Sequence, residues 1–328
     1  MTAAIVILLS ALVLYLIFVI YSGVAMFRAA AVRNRRSRSV WDFPESELVG
    51  GHALERFGDE LLERRKWLIE RGTDDGVERV SIKSHDGLTL QARIIHRDSP
   101  CAVAAMFHGY RSNPVHDFGD KARDLFEAGM TLFLPEQRAQ GASEGRYMTY
   151  GALERFDAAD WCRYLAGRYP GVPIMLFGVS MGAATVSMAS SLDLPCEVRC
   201  VIADCGYTSP ADISRSVMNR KYHLPSFPVY DIAAALLRTF ARYDPDGCSS
   251  EASLHATPLP VMIVHGTTDD FVPYEMGERL AAACDGAVFL SVPGAGHGES
   301  YMAATEEYRK CMAELFRRAG IPNVEMCQ

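Results

Sequence analysis

The sequence predicts a doubly wound α/β domain with a mostly parallel sheet, an antiparallel hairpin at its start and one transmembrane helix before it. Two observations predict the domain: short, wholly apolar segments alternate with amphipathic helical segments, and the first two strand-like segments are joined by a tight-turn dipeptide. Strands that are apolar throughout are typical of a parallel sheet with helices on both faces. A third observation, an uncharged N-terminal run, predicts the transmembrane helix.

The N-terminal run "AAIVILLSALVLYLIFVIYSGVAMF" extends from Ala3 to Phe27 without a charged residue. As a helix it would be roughly 37 Å long, which is enough to cross a bilayer with some tilt. A cleavable signal peptide is the alternative, but it normally has a basic segment before a shorter apolar core, and no Lys or Arg precedes this run. We therefore expect residues 1–27 to be an uncleaved membrane anchor.

Five arginines follow the anchor directly: Arg28, Arg33, Arg35, Arg36 and Arg38. Basic residues beside a span tend to remain in the cytoplasm, so we expect the long C-terminal part of the chain to lie there, attached to the cell membrane by a single pass. Nine cysteines without a C-x-x-C pair fit a reducing compartment better than a disulfide framework. Residues 28–76 are interpreted as a basic juxtamembrane segment and a helical connector, interrupted at Gly50 and Gly51.

From residue 77 the pattern settles into the predicted domain, 77–320, followed by a tail over 321–328. The hairpin "VERVSIKS"–"LTLQARIIH" turns at Asp-Gly. Further strands are predicted at "AVAAMFH", "MTLFLPE", "PIMLFGV", "VRCVIADC", "LPVMIVHG" and "AVFLSVPG". Helices are predicted over 115–128, 151–168, 181–192, 275–284 and 301–318. The irregular segment 206–256 has two interpretations, a small lid over the site or ordinary helices packed on the sheet.

The stretch "FGVSMGAATV" places Ser180 between Gly178 and Gly182, where a predicted strand becomes a predicted helix. Such a sharp turn requires close approach of the two elements, and flanking glycines avoid a Cβ clash. The turn exposes the hydroxyl at the carboxyl edge of the sheet, beside the N-terminus of the following helix. This context makes Ser180 a candidate nucleophile.

A serine nucleophile needs a histidine base and a carboxylate that orients it. Asp269 in "HGTTDDFVP" and His297 in "PGAGHGES" each follow a predicted strand, and the order Ser, Asp, His suits this fold. Asp270 is expected to be exposed or locally hydrogen bonded. Asp204, which ends an earlier strand, is an alternative acid.

The backbone amides of Met181 and Tyr110 are the candidate oxyanion donors. Met181 opens the helix after the nucleophile, and Tyr110 follows a strand in "FHGYRSN". His108 in the same segment is interpreted as a structural residue that braces the loop.

These segments resemble the α/β-hydrolase superfamily, particularly the serine aminopeptidase/prolyl-oligopeptidase-like branch and small bacterial hydrolases with an N-terminal membrane anchor. The resemblance rests on "SHDGLTL", "FHGYRSN", "GASEG", "GVSMGA", "HGTTDDFVP" and "GAGHGES" and covers most of the chain beyond the anchor. It implies the α/β-hydrolase fold, a Ser180–Asp269–His297 triad, and an oxyanion hole from Tyr110 and Met181. Relatives usually carry Asp-x-Arg-Gly-His-Gly where this chain has "PEQRAQGASEG", so Glu136, Gln137 and Gln140 depart from the pattern in a loop expected to shape the site.

The formal charge of −7 argues against a nucleic-acid partner. No metal or organic cofactor is expected, because the triad suffices for the chemistry and Cys196, Cys200 and Cys205 lack the partners of a tetrahedral site. The sequence favours a membrane-anchored serine hydrolase of esters or thioesters, with a small-molecule or lipid-derived acyl substrate. The alternatives are a peptidase of the same mechanism and a catalytically silent membrane scaffold.

Overall fold

A computed structural model describes residues 2–34, 38–42, 52–74 and 76–321 of the chain. Arg35, Arg36, the glycine pair at 50 and 51, and residues 322–328 of the predicted tail lie outside the described residues. The strands are β1 Glu78–Lys83, β2 Thr89–Ile95, β3 Ala102–Phe107, β4 Met130–Glu136, β5 Ile174–Val179, β6 Val198–Asp204, β7 Val261–Gly266 and β8 Val288–Val292. All eight coincide with predicted strands.

The helices alternate with the strands from β3 onward, as the apolar pattern predicts. They are α1 Thr2–Ala31, α2 His52–Thr73, α3 Pro114–Phe118, α4 Ala122–Glu127, α5 Glu154–Arg168, α6 Met181–Ala189, α7 Pro210–Arg220, α8 Ser226–Leu236, α9 Ser250–Ala256, α10 Tyr274–Ala283, α11 Ser300–Ala303 and α12 Thr305–Ala319. A short 3₁₀ turn, Val40–Asp42, precedes α2, and a π-helical turn, Leu237–Ala241, follows α8.

The eight strands form one sheet in the order β1-β2-β4-β3-β5-β6-β7-β8. Strand β2 is antiparallel to both of its neighbours, β1 and β4. Strands β3 to β8, including β4, are all parallel to one another. Strands β3, β4, β5 and β7 are buried along their whole length, because helices cover both faces of the sheet. The predicted doubly wound, mostly parallel sheet with an N-terminal hairpin is therefore confirmed.

Two predicted helices are interrupted. The helix expected over 115–128 is split into α3 and α4 around Gly119, where a Cβ would lie 2.5 Å from the carbonyl oxygen of Val115 and 2.6 Å from Arg65. The next turn directs Lys121 into the interior, where its side chain is fully buried. The helix expected over 301–318 breaks at Ala304, between α11 and α12.

Helix α1 is long and apolar enough to cross a membrane, a property that a signal sequence would share. Its first part is exposed, with side chains such as Leu8 and Ile17 more than half accessible. Its last part is packed on the domain through one helical face, on which Val19, Phe27 and Ala31 are buried. The helix thus has a free apolar portion and a docked portion.

The segment after α1 is held by the loop that follows β4. The Glu136 carboxylate accepts hydrogen bonds from the Ser39 hydroxyl (2.7 Å), the Val40 amide (3.1 Å) and, within its own loop, the Ala142 amide (2.7 Å). The Arg33 guanidinium donates to the carbonyl oxygens of Gly141 and Ser143, both at 2.6 Å. Glu136, expected to help shape the site, instead anchors the juxtamembrane segment.

The connector helix α2 packs against the domain, with Leu61, Arg65 and Leu68 buried on one face. Its backbone is kinked at Gly58, which has a φ of 56°. Arg64 reaches the Asp124 carboxylate at 3.2 Å, which fixes α2 against α4. The connector is therefore an integral part of the folded body.

Replacing Glu136 by Ala is expected to destabilise the protein by about 1–3 kcal/mol, because it leaves the buried Ser39 and Val40 donors without their acceptor. The free energy of unfolding in denaturant measures this effect. Glu127→Ala is the matched control: this exposed carboxylate pairs with Arg123 of its own helix, and its loss should cost less than about 0.5 kcal/mol. Equal stability of the two variants would contradict the docking of the juxtamembrane segment.

Candidate active site

Ser180 lies on the tight turn between β5 and α6 and has a strained backbone conformation, with φ 55° and ψ −115°. A residue with a side chain rarely adopts this region, and it persists only where the surroundings enforce it. The side chain is nearly buried, with a residue exposure of 7%. The turn places the hydroxyl at the carboxyl edge of the sheet, where the sequence predicted it.

The two flanking glycines permit this turn. A Cβ on Gly178 would lie 2.1 Å from the Gly182 carbonyl oxygen, and a Cβ on Gly182 would lie 1.7 Å from that of Phe107. Both distances are far below van der Waals contact, so no other residue fits either position without a backbone shift. The glycines thus allow α6 to start directly over β3 and β5.

The three candidate triad residues form one hydrogen-bonded chain. His297 Nε2 lies 2.9 Å from Ser180 Oγ, and His297 Nδ1 lies 2.7 Å from Asp269 Oδ2. The three side chains come from the loops after β5, β7 and β8. Their arrangement matches that of a nucleophile, a base and an orienting acid.

Asp269 is held in place by several donors. Its Oδ1 atom accepts from the amides of Phe271 (2.9 Å) and Val272 (2.8 Å). On its other side the buried His265 ring lies 3.4 Å from Oδ2 and 3.0 Å from the Val272 carbonyl oxygen. Sequence reasoning missed His265; its position one residue before the strand-ending Gly266 was the available signal.

Charges and hydrogen bonds among the candidate triad residues shift the pKa values of Asp269 and His297 in the direction opposite to the effect of burial. Burial raises the pKa of Asp269, but hydrogen bonds from His265 and His297 more than offset it, and the pKa lies well below its usual range. Burial lowers the pKa of His297, whereas the neighbouring Cys205 and the bond to Asp269 raise it, so the net pKa lies well above that of an ordinary histidine. Asp269 is thus a carboxylate at neutral pH, and it favours the imidazolium.

The two other candidate acids lie away from His297 or point elsewhere. Asp270 is exposed, as expected. Asp204 is fully buried, and its carboxylate accepts a hydrogen bond from the Tyr308 hydroxyl at 3.0 Å and lies 3.6 Å from Lys121 Nζ. Asp204 contributes its backbone carbonyl to the site, which accepts from the Ser180 amide at 2.9 Å. The carboxylate that contacts His297 is that of Asp269.

The loop after β3 lies directly over the nucleophile, since a Cβ on Gly109 would lie 3.3 Å from Ser180 Cβ. The Gly109 amide donates to Asp117 Oδ2 at 2.6 Å, which fixes the loop. Within the described part of the chain, the amides of Tyr110 and Met181 have no protein acceptor. They are therefore free to stabilise an oxyanion. Asp117, which sequence reasoning missed, orients this loop.

The environment of Asp117 suits a fixed negative charge. Burial raises its pKa, but donors from His116, Ser112 and Gly109 outweigh that effect, and the pKa lies well below its usual range. The Ser112 hydroxyl and His116 Nδ1 approach its other oxygen at 2.6 and 2.8 Å. The loop is thus preorganised by a buried carboxylate.

His108 braces the same loop from below. Its Nε2 accepts from the Gln137 amide at 3.2 Å, and its Nδ1 lies 2.9 Å from the Gly109 carbonyl oxygen. The Gln137 side chain donates to the His108 carbonyl oxygen and lies 3.3 Å from the Thr185 hydroxyl. Gln137 therefore supports the site indirectly, whereas buried Gln140 has no hydrogen-bond partner for its side chain among the described residues.

Two cavities meet at Ser180. The first, here the connector-side cavity, has a volume of about 310 Å³ and is bordered by Phe57, Leu61 and Arg65 of α2 and by the carboxylates of Asp117, Asp120 and Glu299. The second, here the anchor-side cavity, measures about 130 Å³. Its walls include Met26, Ala29 and Ala30 of α1, Val217 of α7, and Tyr150 and Phe271. Sequence reasoning did not expect either helix, α1 or α2, to border the site.

Among the residues that the structure describes, two side-chain groups have donor atoms close enough to hold a metal ion. One consists of Cys205, Asp269 and His297; the other of His85, Asp86 and Asp157. In the first, His297 and Asp269 are hydrogen bonded to each other, and in the second Arg138 pairs with both carboxylates at 2.6–2.9 Å. Cys196 is exposed and Cys200 lies within β6, so the three cysteines considered from sequence do not form one site.

Comparison with known families places this geometry in context. Residues 98–224, which include Ser180, match the family described as "Serine aminopeptidase, S33", and residues 243–327, which include Asp269 and His297, match "TAP-like protein" of the α/β hydrolases. The chain belongs to the α/β-hydrolase superfamily. The fold of this α/β-hydrolase is shared by the Pyrococcus furiosus esterase Pf2001, which has 20% sequence identity and a TM-score of 0.59 over 88% of this chain and 98% of that one.

Relatives of this α/β-hydrolase occur in distant bacteria. The uncharacterized protein YqkD of Bacillus subtilis is 26% identical over 76% of this chain and 85% of its own length. An uncharacterized protein of Mycobacterium tuberculosis is 29% identical over 53% of this chain and 56% of its own length. The chain thus spans most of the first relative and about half of the second.

Asp269→Asn is expected to lower kcat for hydrolysis by about 10³–10⁴-fold, because the amide no longer holds the reactive tautomer of His297. Asp270→Asn is the matched control and should leave kcat within about twofold. Steady-state hydrolysis of an activated acyl ester compares the two. A larger loss in Asp204→Asn than in Asp269→Asn, with folding intact, would mean that the acid is assigned wrongly.

The raised pKa of His297 predicts the pH dependence of activity. Since the base must be unprotonated, and its pKa lies above the ordinary value, kcat/KM should fall on acidification through a limb above about pH 6.5. Asp269→Asn should move this limb to lower pH, because it removes the charge that stabilises the imidazolium. A pH–rate profile of both proteins measures the limb; an unchanged midpoint would contradict this role of Asp269.

Proposed function

We propose that the protein is a membrane-anchored serine hydrolase that cleaves carboxylic esters or thioesters through an acyl-enzyme intermediate. The observation that carries the proposal is the hydrogen-bonded chain Ser180–His297–Asp269, next to the backbone amides of Tyr110 and Met181, which have no acceptor among the described residues. Esterases among the structural neighbours have the same fold, which is consistent with this chemistry.

The mechanism follows from the position of each group. His297 Nε2 takes the proton of Ser180 as Oγ forms a bond to the substrate carbonyl carbon, and Asp269 stabilises the resulting imidazolium. The amides of Tyr110 and Met181 bind the oxyanion. The bond to the leaving group then breaks, His297 returns the proton to it, and water hydrolyses the acyl-enzyme by the same sequence of transfers.

The packing of α1 supports its retention as an anchor. Phe27 and Ala31 are buried in the domain, and the Ala31 carbonyl oxygen accepts from the Met148 amide at 2.8 Å. Cleavage after the apolar run would remove Met26 from the wall of the site and Phe27 from the domain core, whereas a signal sequence is discarded without such a cost. The arginines that follow α1 support a cytoplasmic domain.

A serine peptidase is the second candidate, favoured by the match to the serine aminopeptidase family and by the acidic groups of the connector-side cavity. These carboxylates are already engaged, however. Glu299 accepts from Arg56 (2.6 Å) and the Gly296 amide (3.1 Å), and Asp120 lies 3.3 Å from Lys121 Nζ. Capture of a substrate amino group would have to displace these partners, so we favour ester cleavage.

Ser180→Ala is expected to lower kcat/KM for acyl esters by at least about 10³-fold, on the scale seen when a triad nucleophile is removed. Hydrolysis of an acyl-ester series from acetate to palmitate by the full-length protein in detergent provides the measurement, with an aminoacyl anilide as the peptidase probe. Ser187→Ala is the matched control, because this serine is buried in α6, the helix that follows Ser180, and its hydroxyl lacks a partner among the described residues.

Full activity in Ser187→Ala and none in Ser180→Ala would support the proposed nucleophile. Faster cleavage of the anilide than of every ester would favour the peptidase. Equal rates in wild type and Ser180→Ala, for all probes, would contradict a serine hydrolase.

A further inference from the structure

The C-terminal end of the apolar helix α1 forms part of the candidate active site. Met26, Ala29 and Ala30 border the anchor-side cavity, which opens beside Ser180. The facing wall comes from α7, with Ile213 and Val217. The cavity therefore lies between the anchor and the segment that was interpreted from sequence as a lid or as ordinary packing helices.

The end of α1 is fixed to the loop that carries the candidate oxyanion donor. The Tyr110 hydroxyl donates to the Ala29 carbonyl oxygen at 3.0 Å, and Arg111 Nη2 donates to the carbonyl oxygens of Ala29 (2.8 Å) and Val32 (3.0 Å). The Tyr150 hydroxyl donates to the carbonyl oxygen of Ala30 at 3.3 Å. These bonds satisfy carbonyls that a helix end leaves without a partner, so this wall of the cavity is held firmly.

The dimensions of α1 place the cavity close to the membrane surface. The mostly exposed apolar portion, Ala3 to Tyr21, is roughly 28 Å long at 1.5 Å per residue, close to the thickness of the hydrocarbon core. Ala29 lies about 12 Å further along the helix, a distance comparable to the headgroup layer. An acyl chain that leaves the hydrocarbon core along α1 therefore reaches Ser180 within the headgroup layer.

Helix α8 runs alongside the docked part of α1 in the same direction. Val19 clusters with Val229 and Tyr230, whereas Phe27 contacts Phe240 with ring centroids 6.0 Å apart. The N-terminal end of α8 therefore faces the membrane side. Phe227 there is 77% exposed and Tyr222, which also borders the cavity, is 51% exposed. Exposed aromatic side chains at this level are typical of a membrane interface.

We propose that the anchor-side cavity is the acyl-binding site and that the anchor helix is one of its walls. The substrate is then a membrane-resident lipid with a single acyl chain in ester linkage, whose ester end enters from the leaflet along α1. The cavity, with a volume of about 130 Å³, takes only the carbons nearest the carbonyl, which Met26, Ala29 and Ala30 border, and the rest of a long chain remains along α1 in the leaflet. The leaving headgroup occupies the connector-side cavity, which is the larger of the two and also borders Ser180. This inference rests on the proposed function and uses the same acyl transfer.

The experiment uses the full-length protein reconstituted in vesicles of ether lipids, which contain no carboxylic ester bond. The probes are 1-palmitoyl lysophosphatidylcholine in the vesicles and water-soluble phenyl acetate. Ala29→Phe fills the cavity, and Val217→Phe fills it from the opposite wall in case the first variant fails to fold. Ala11→Phe makes the same change at an exposed position of α1 and serves as the matched control.

We expect the ratio of palmitoyl-ester to acetate kcat/KM to fall at least tenfold in Ala29→Phe and Val217→Phe and to stay within about twofold in Ala11→Phe. An unchanged ratio in both cavity variants, with Ser180-dependent acetate hydrolysis retained, would overturn the acyl site but not the hydrolase. Preference for an S-palmitoyl peptide over the lysolipid would overturn the lipid ester as substrate. Hydrolysis independent of Ser180 would overturn the proposed function itself.

Discussion

The strained turn at Ser180 is the constraint on which the site depends. An unfavourable backbone conformation persists there because β5, α6 and β3 approach so closely that only glycine fits at positions 178 and 182. Apolar strands, buried on both faces, supply the packing that holds this contact together. The same approach places the hydroxyl at the sheet edge where the loops after β3, β7 and β8 converge. The candidate nucleophile, base, acid and oxyanion donors are therefore brought together by one feature of the sheet.

Buried charge is balanced in distinct clusters around that edge. Asp269 is satisfied by His297, His265 and two amides, and Asp117 by the loop that carries Tyr110. Below them Lys121 is fully buried between Asp120 and Asp204. Removing one partner of such a pair leaves an uncompensated charge, which is costly in a dry interior. Asp204 is thus committed to Lys121 and Tyr308, and this explains why an acid in a suitable strand position does not reach His297.

The sequence was sufficient to predict the strands and most helices, and to select five candidate site residues that the structure brings to one edge of the sheet, because these signals are local. Apolar runs, a glycine-flanked serine and loop positions after strands can be recognised without knowing the tertiary structure. It was insufficient where distant segments meet. Glu136 binds Ser39 across the fold, α2 borders a cavity, and His265 and Asp117 orient groups from neighbouring loops. At the break, Gly119 likewise lies so close to Arg65 of α2 that a Cβ would clash, a contact that no pattern within residues 115–128 indicates.

Tyr110 links the anchor to the chemistry. Its amide is one of the two proposed oxyanion donors, and its hydroxyl binds the last turn of α1. Its ring stacks on Tyr150, with centroids 5.3 Å apart, and Tyr150 binds the same helix end. A displacement of α1 relative to the domain must therefore disturb either these hydrogen bonds or the loop over Ser180. Since an oxyanion donor acts only when it is already in position, the docked end of α1 helps to preorganise the site. In the proposed function, helix α1 is then a structural part of the active site as well as its attachment to the membrane.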